Sequence, residues 1–79
     1  MNPKKELEDA GVIKDGKLVD GVWYNSNWQI LYIETNPIRV KLVELDEGQR
    51  TFYVDKDSAL PWAEDIVNYI EENYGKVNL

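Results

Sequence analysis

The sequence predicts an α+β fold, a small antiparallel β-meander packed against one C-terminal amphipathic helix, with a short helical turn at the N-terminus. Three observations predict it. Short runs rich in β-branched and aromatic residues, broken by Asp-Gly, Pro and Gly, fill residues 12–54. A 3.6-residue apolar period takes over between residues 58 and 74. Asn2-Pro3 at the start is a helix-opening pair, because Asn caps free amides and Pro suits the first helical position.

The N-terminal helical turn spans residues 1–10, with Gly11 placed to stop it. Val12-Ile13-Lys14 and Lys17-Leu18-Val19 flank Asp15-Gly16, a dipeptide that tolerates the positive φ angles of a tight hairpin. A second Asp-Gly stands at Asp20-Gly21. Trp28 to Glu34 and Ile38 to Leu45 read as strands joined through Thr35-Asn36-Pro37, and Asp46-Glu47-Gly48-Gln49 turns the chain into Arg50 to Val54. Pairing Tyr32 with Val40 and Leu42 with Val54 would put Trp28, Ile30, Tyr32, Ile38, Val40, Leu42, Phe52 and Val54 on a core face. The other face would then carry Leu31, Ile33, Val43 and Tyr53 among Gln29, Arg39, Lys41 and Thr51, which makes it a candidate surface for self-association.

Asp57-Ser58 supplies a cap for a helix from 58 to 74, with Pro61 tolerated in its first turn and Gly75 at its end. Trp62, Ala63, Ile66, Val67, Tyr69, Ile70 and Tyr74 fall within an arc of about 160° at 100° per residue. Glu64, Asp65, Asn68, Glu71 and Glu72 take the opposite side. A meander followed by a terminal helix has an outline similar to SH3-like folds, in which the sheet is a partly open barrel.

Composition narrows the chemistry. The 79 residues contain no His and no Cys, so imidazole bases, thiolate nucleophiles, disulfides and His/Cys metal centres are all outside its repertoire. Gly11-Val12-Ile13-Lys14-Asp15-Gly16-Lys17 matches a P-loop up to its lysine, but Leu18 stands where a Ser or Thr must meet magnesium, so the segment reads as a turn. Asp55-Lys56-Asp57-Ser58 opens like a calcium loop, yet Leu60 and Ile66 occupy the positions that need Gly and Glu. Neither a cofactor nor a resident metal is expected, and the chain is expected not to be an enzyme. One domain is expected at this length, with neither signal peptide nor membrane span, which together suit a cytoplasmic protein.

The formal net charge is −6. It lies mainly in the second half, where nine acids face four bases after residue 40, and no Lys or Arg lies between Lys56 and Lys76. Direct nucleic-acid or membrane binding is therefore disfavoured. Glu71 and Glu72 sit where the helix dipole opposes anions by about 0.3 to 1 kcal/mol each. The leading expectation is a regulator or inhibitor whose acidic helix face (Glu64, Asp65, Asn68, Glu71, Glu72) docks on a basic surface of a partner protein, as a nucleic-acid mimic would. By size and charge alone, phage or mobile-element inhibitors are an analogy. The alternative is an adaptor that holds a peptide or small ligand in an aromatic groove of Trp23, Tyr24, Trp28 and Tyr53. A third is a structural subunit joined through Leu31, Ile33, Val43 and Tyr53.

Overall fold

The computed structural model describes residues 2–45 and 48–79. Among them, two helices and six antiparallel strands follow the order α1 (Pro3–Asp9), β1 (Ile13–Lys14), β2 (Lys17–Leu18), β3 (Gly21–Tyr24), β4 (Ile30–Glu34), β5 (Arg39–Glu44), β6 (Arg50–Val54) and α2 (Glu64–Tyr74). The expected α+β class, with meander and C-terminal helix, is the one observed. The turn expected across Asp46–Gln49 includes Asp46 and Glu47, which lie outside the described residues.

Local chemistry sets the first elements. The Asn2 side chain accepts the Lys5 amide at 3.2 Å, Pro3 opens α1, and Gly11 leaves it at φ 78°. Asp15 and Gly16, at φ 52° and 76°, close the β1–β2 hairpin, so the segment that imitates a P-loop is a turn. That hairpin pairs only with itself. The remaining strands form a separate sheet in the order β3-β4-β5-β6, with two free edges and no closure into a barrel. The SH3-like, partly open barrel is therefore replaced by an open four-stranded sheet, because β1 and β2 do not join it.

The register corrects the expected faces. Tyr32 lies opposite Lys41, not Val40, and Ile33 lies opposite Val40. One residue of slip turns the whole of β4 over. Leu31 and Ile33 thus enter the core beside Val40, Leu42 and Val54, while Ile30 and Tyr32 face outward. Alternation could not settle the phase in Ile30-Leu31-Tyr32-Ile33, where every position is apolar; the partner strand does, since Arg39 and Lys41 must face water. Gly21 lies close beneath Val12, whose Cγ2 would stand 3.1 Å from an added Cβ.

α2 begins at Glu64, not at residue 58, and its N-cap Ala63 makes no side-chain cap bond. Asp57 and Ser58 belong instead to a turn in which the Asp55 carboxylate accepts the amides of Asp57 (3.0 Å) and Ser58 (2.9 Å). Pro61 explains the delay: it disfavours helical geometry at Leu60. Ile66, Val67 and Ile70 then meet the inner sheet face within one cluster that also takes Leu7, Val12, Trp23 and Val77. Trp62 stacks on Trp23 with ring centroids 6.3 Å apart. Beyond Gly75 the chain crosses the sheet end, where the Asn78 amide donates to the Ile38 carbonyl at 2.9 Å. Among the described residues no helix is long and apolar enough to cross a membrane.

Candidate binding surface

Among the described residues, helices and hairpin cover the inner face of the sheet and leave the outer face uncovered. The outer face is laid out by the register in rows: Tyr24, Ile30, Val43 and Thr51 across one level, Val22, Tyr32, Lys41 and Tyr53 across the next, then Glu34 and Arg39. Tyr24 is 68% exposed, and Val22 and Tyr32 are exposed beside it. Leu45, two residues beyond Val43, is exposed as well. A grouped apolar patch of this kind marks an interaction surface more often than scattered exposure does.

Its polar groups are ordered. Arg39 donates through Nε to Glu34 at 3.0 Å and lies 4.4 Å from the Tyr53 ring centroid, while the Tyr53 hydroxyl donates to the other Glu34 oxygen at 3.1 Å. Lys41 sits 5.1 Å from the centre of the Tyr32 ring. These cation–π contacts hold the tyrosine rings in place without hiding them.

Trp28 stands exposed on the β3–β4 loop. The Asn25 side-chain oxygen accepts the amides of Asn27 (2.9 Å) and Gln29 (3.2 Å), and its Nδ2 donates to Gln29 Oε1 at 2.6 Å. Held by this loop, Trp28 adopts φ 60° with 70% of its surface exposed. The left-handed conformation costs a bulky residue about 1–2 kcal/mol, and the hairpin turn, in which the Trp28 amide donates to the Asn25 carbonyl at 3.2 Å, places it there. Trp23, five residues earlier, is buried and donates through Nε1 to Glu6 at 2.9 Å.

The expected aromatic groove is therefore divided. Tyr24 and Tyr53 lie on the outer side and Trp28 is exposed on the β3–β4 loop, whereas Trp23 belongs to the core. Tyr32 was not expected here because the wrong phase for β4 puts it inside, and Val22 because its four-residue strand has no distinct pattern in the sequence. The self-association face fares worse: Leu31 and Ile33 are buried in the core, and of the two on the outer side Val43 is itself buried and Tyr53 half-buried. As a contiguous surface it does not exist.

The acidic helix face is also smaller than expected. Glu64, Asp65, Asn68 and Glu72 are exposed. Glu71 is not free: its Oε1 accepts the Val77 amide at 3.0 Å, and Oε2 lies 3.7 Å from Lys56 Nζ. Its position in the last turn, which the dipole disfavours, is explained by this work in closing the C-terminal tail. Glu64 and Asp65 occupy the first turn, where the same dipole favours them.

A groove of about 430 Å³ runs between α1 and the outer edge of β3, lined by Glu6, Asp9, Ala10, Val22, Trp23 and Tyr24. Among the described residues, no group of three or more His, Cys, Asp or Glu side chains is gathered so as to hold a metal ion. Comparison with protein families, with curated proteins and with solved structures finds no match to this chain.

Proposed function

We propose that this protein is a non-catalytic binding module that engages a partner protein through the uncovered outer face of its four-stranded sheet. Tyr24 and Trp28 are the anchors, and Val22, Tyr32 and Leu45 complete the apolar contact. The observation that carries this reading is Trp28, the most exposed large ring, held by a hydrogen-bonded loop in a strained backbone conformation. The hairpin loop fixes that conformation, which Gly or Asn would adopt at little cost, so folding alone does not select an exposed tryptophan there. Rigid, exposed aromatic rings are the side chains that dominate binding energies at protein interfaces.

The acidic helix remains a second reading because Glu64, Asp65, Asn68 and Glu72 stand exposed on one helix. Affinity capture with variants separates the two. Under the sheet-face reading, Trp28→Asn loses the captured partner, and Glu64→Lys with Glu72→Lys retains it. The opposite pattern overturns the reading in favour of the helix. Asn tolerates the left-handed region, so Trp28→Asn is expected to leave thermal stability unchanged or to raise it by up to about 1 kcal/mol. Loss of binding from a variant at least as stable as the parent cannot be put down to unfolding.

A further inference from the structure

We infer that the outer edge of β3 is a strand-addition site for an extended peptide segment carrying Lys or Arg at alternate positions. The direction of the backbone groups comes first. The Asn25 amide donates to the Gln29 carbonyl at 3.1 Å, so Asn25 and Gln29 form a hydrogen-bonded pair of the antiparallel ladder. Such pairs recur every second residue. Trp23 with Leu31 and Gly21 with Ile33 are then bonded pairs too, and their amides and carbonyls point at β4. Val22 and Tyr24 fall between them, so their N–H and C=O groups point away from the sheet. Among the described residues no backbone group pairs with them there.

These groups open into the 430 Å³ groove beside α1. An extended segment placed there would continue the ladder, taking its main-chain bonds from Val22 and Tyr24. Its side chains would alternate as those of β3 do. On the outer side they would lie against Val22 and Tyr24, where apolar residues fit. On the inner side they would meet α1 and its C-cap, whose groove-lining side chains are Glu6, Asp9 and Ala10. Glu6 is on that side because one carboxylate oxygen accepts the Trp23 indole N–H, and Asp9 follows it one turn along the helix. Asp9 is paired only with exposed Lys5, at 3.1 Å, an i,i+4 pair of the weak surface kind. The wall is anionic, and among the described residues no cationic side chain lines the groove.

Charge selects the occupant. Edge-to-edge pairing with a second copy would bring two sets of Glu6 and Asp9 together between chains of net charge −6, an arrangement that like-charge repulsion opposes. A basic strand has complementary charge, and the alternation places its cations on the acidic side and its apolar residues on the side of Tyr24. The proposal rests on the sheet's outer side being a docking surface, and names the partner that its β3 margin would take. Trp28 lies outside the groove, so failure at the edge leaves the outer-face reading standing.

The test uses the whole chain and a blocked peptide, Lys-Val-Lys-Val-Lys-Val-Lys, followed by amide hydrogen exchange in NMR spectra. Saturating peptide is expected to slow exchange of the Val22 and Tyr24 amides by about tenfold or more. The peptide with Glu in place of Lys should not bind. Val22→Pro removes an outward N–H and no bond to β4, so it should weaken binding about tenfold while the sheet persists. If that variant unfolds, N-methylation of alternate peptide amides makes the same test on the unaltered protein. Glu6→Gln with Asp9→Asn, which keeps an acceptor for Trp23, should weaken binding severalfold. Equal binding of the Glu peptide, protection confined to other amides, or indifference to N-methylation would overturn the proposal. So would protection of Val22 and Tyr24 that grows with protein concentration alone, since that is self-pairing.

Discussion

The inner face of the β3–β6 sheet carries Leu31, Ile33, Val40, Leu42 and Val54, each at 2% exposure or less, whereas Val22, Tyr24 and Tyr32 on the outer face remain exposed. Both faces are rich in apolar residues, so hydrophobicity alone does not distinguish them. What differs is the covering. The inner face has α1, α2 and the C-terminal tail packed on it, and each is fastened by a polar device: Asn2 at α1, the Asp55–Ser58 turn before α2, and Glu71 at the tail. On the outer face the polar groups fasten side chains to each other instead, Arg39 to Tyr53 and Lys41 to Tyr32. One face is sealed, and the other keeps exposed aromatic side chains, the feature on which the proposed partner contact rests.

Truncation tests that contrast most directly. Leu42→Ala leaves a cavity under fully buried neighbours and is expected to cost about 2–5 kcal/mol in chemical denaturation. Tyr32→Ala, one strand away on the other side, removes an exposed ring and one cation–π contact, and should cost about 1 kcal/mol or less. Equal losses would mean that the outer face contributes to folding as the inner one does, and the division argued above would fail.

Next in size is the clasp that keeps the tail over the inner face. Val77 is 1% exposed, and its amide has the Glu71 carboxylate as acceptor. Glu71→Ala strands that amide and is expected to cost about 1–3 kcal/mol. Glu71→Gln retains an acceptor and should recover most of the loss. Were Gln as damaging as Ala, the ion pair with Lys56 would outweigh the hydrogen bond, contrary to the distances of 3.7 and 3.0 Å.

How much of this was legible in the sequence depends on whether the signal is local. Asn2-Pro3, Asp15-Gly16 and the 3.6-residue period of Ile66, Val67 and Ile70 each act within a few residues, and the elements they announce are present. β3 was hidden because it is four residues long and ends at a loop that the pattern reads as part of β4. The phase of β4 was illegible because Ile30-Leu31-Tyr32-Ile33 has no polar member, and only pairing with β5 resolves it. Asp57-Ser58 has the chemistry of a cap, but the Asp55 carboxylate accepts the amides of both residues and the Ser58 hydroxyl, which commits the pair to a turn. For the candidate surface, Tyr24, Trp28 and Tyr53 were legible as aromatic residues. The exposure of Trp28 was not, since it follows from the Asn25 hydrogen bonds that turn the loop.

The smallest expected effect concerns the turn that swings the chain from β6 back beneath the sheet. The Ser58 hydroxyl is the main group holding the Asp55 carboxyl below its ordinary value of 3.8, with the Ser58 and Asp57 amides adding to it and desolvation opposing. A depressed carboxyl pKa contributes stability that is complete above the unfolded-state value and is lost as pH falls through the folded one. The turn should therefore loosen only in acid, below pH 3.8. Ser58→Ala removes the largest cause and also the acceptor of the Asp55 amide, at 3.0 Å. In a carboxyl-carbon NMR titration the Asp55 midpoint is expected to rise toward its ordinary value, and the acid-side slope of stability to shrink. An unmoved midpoint would show that backbone amides alone hold the charge. The inner face would then be covered through a turn that closes without its serine.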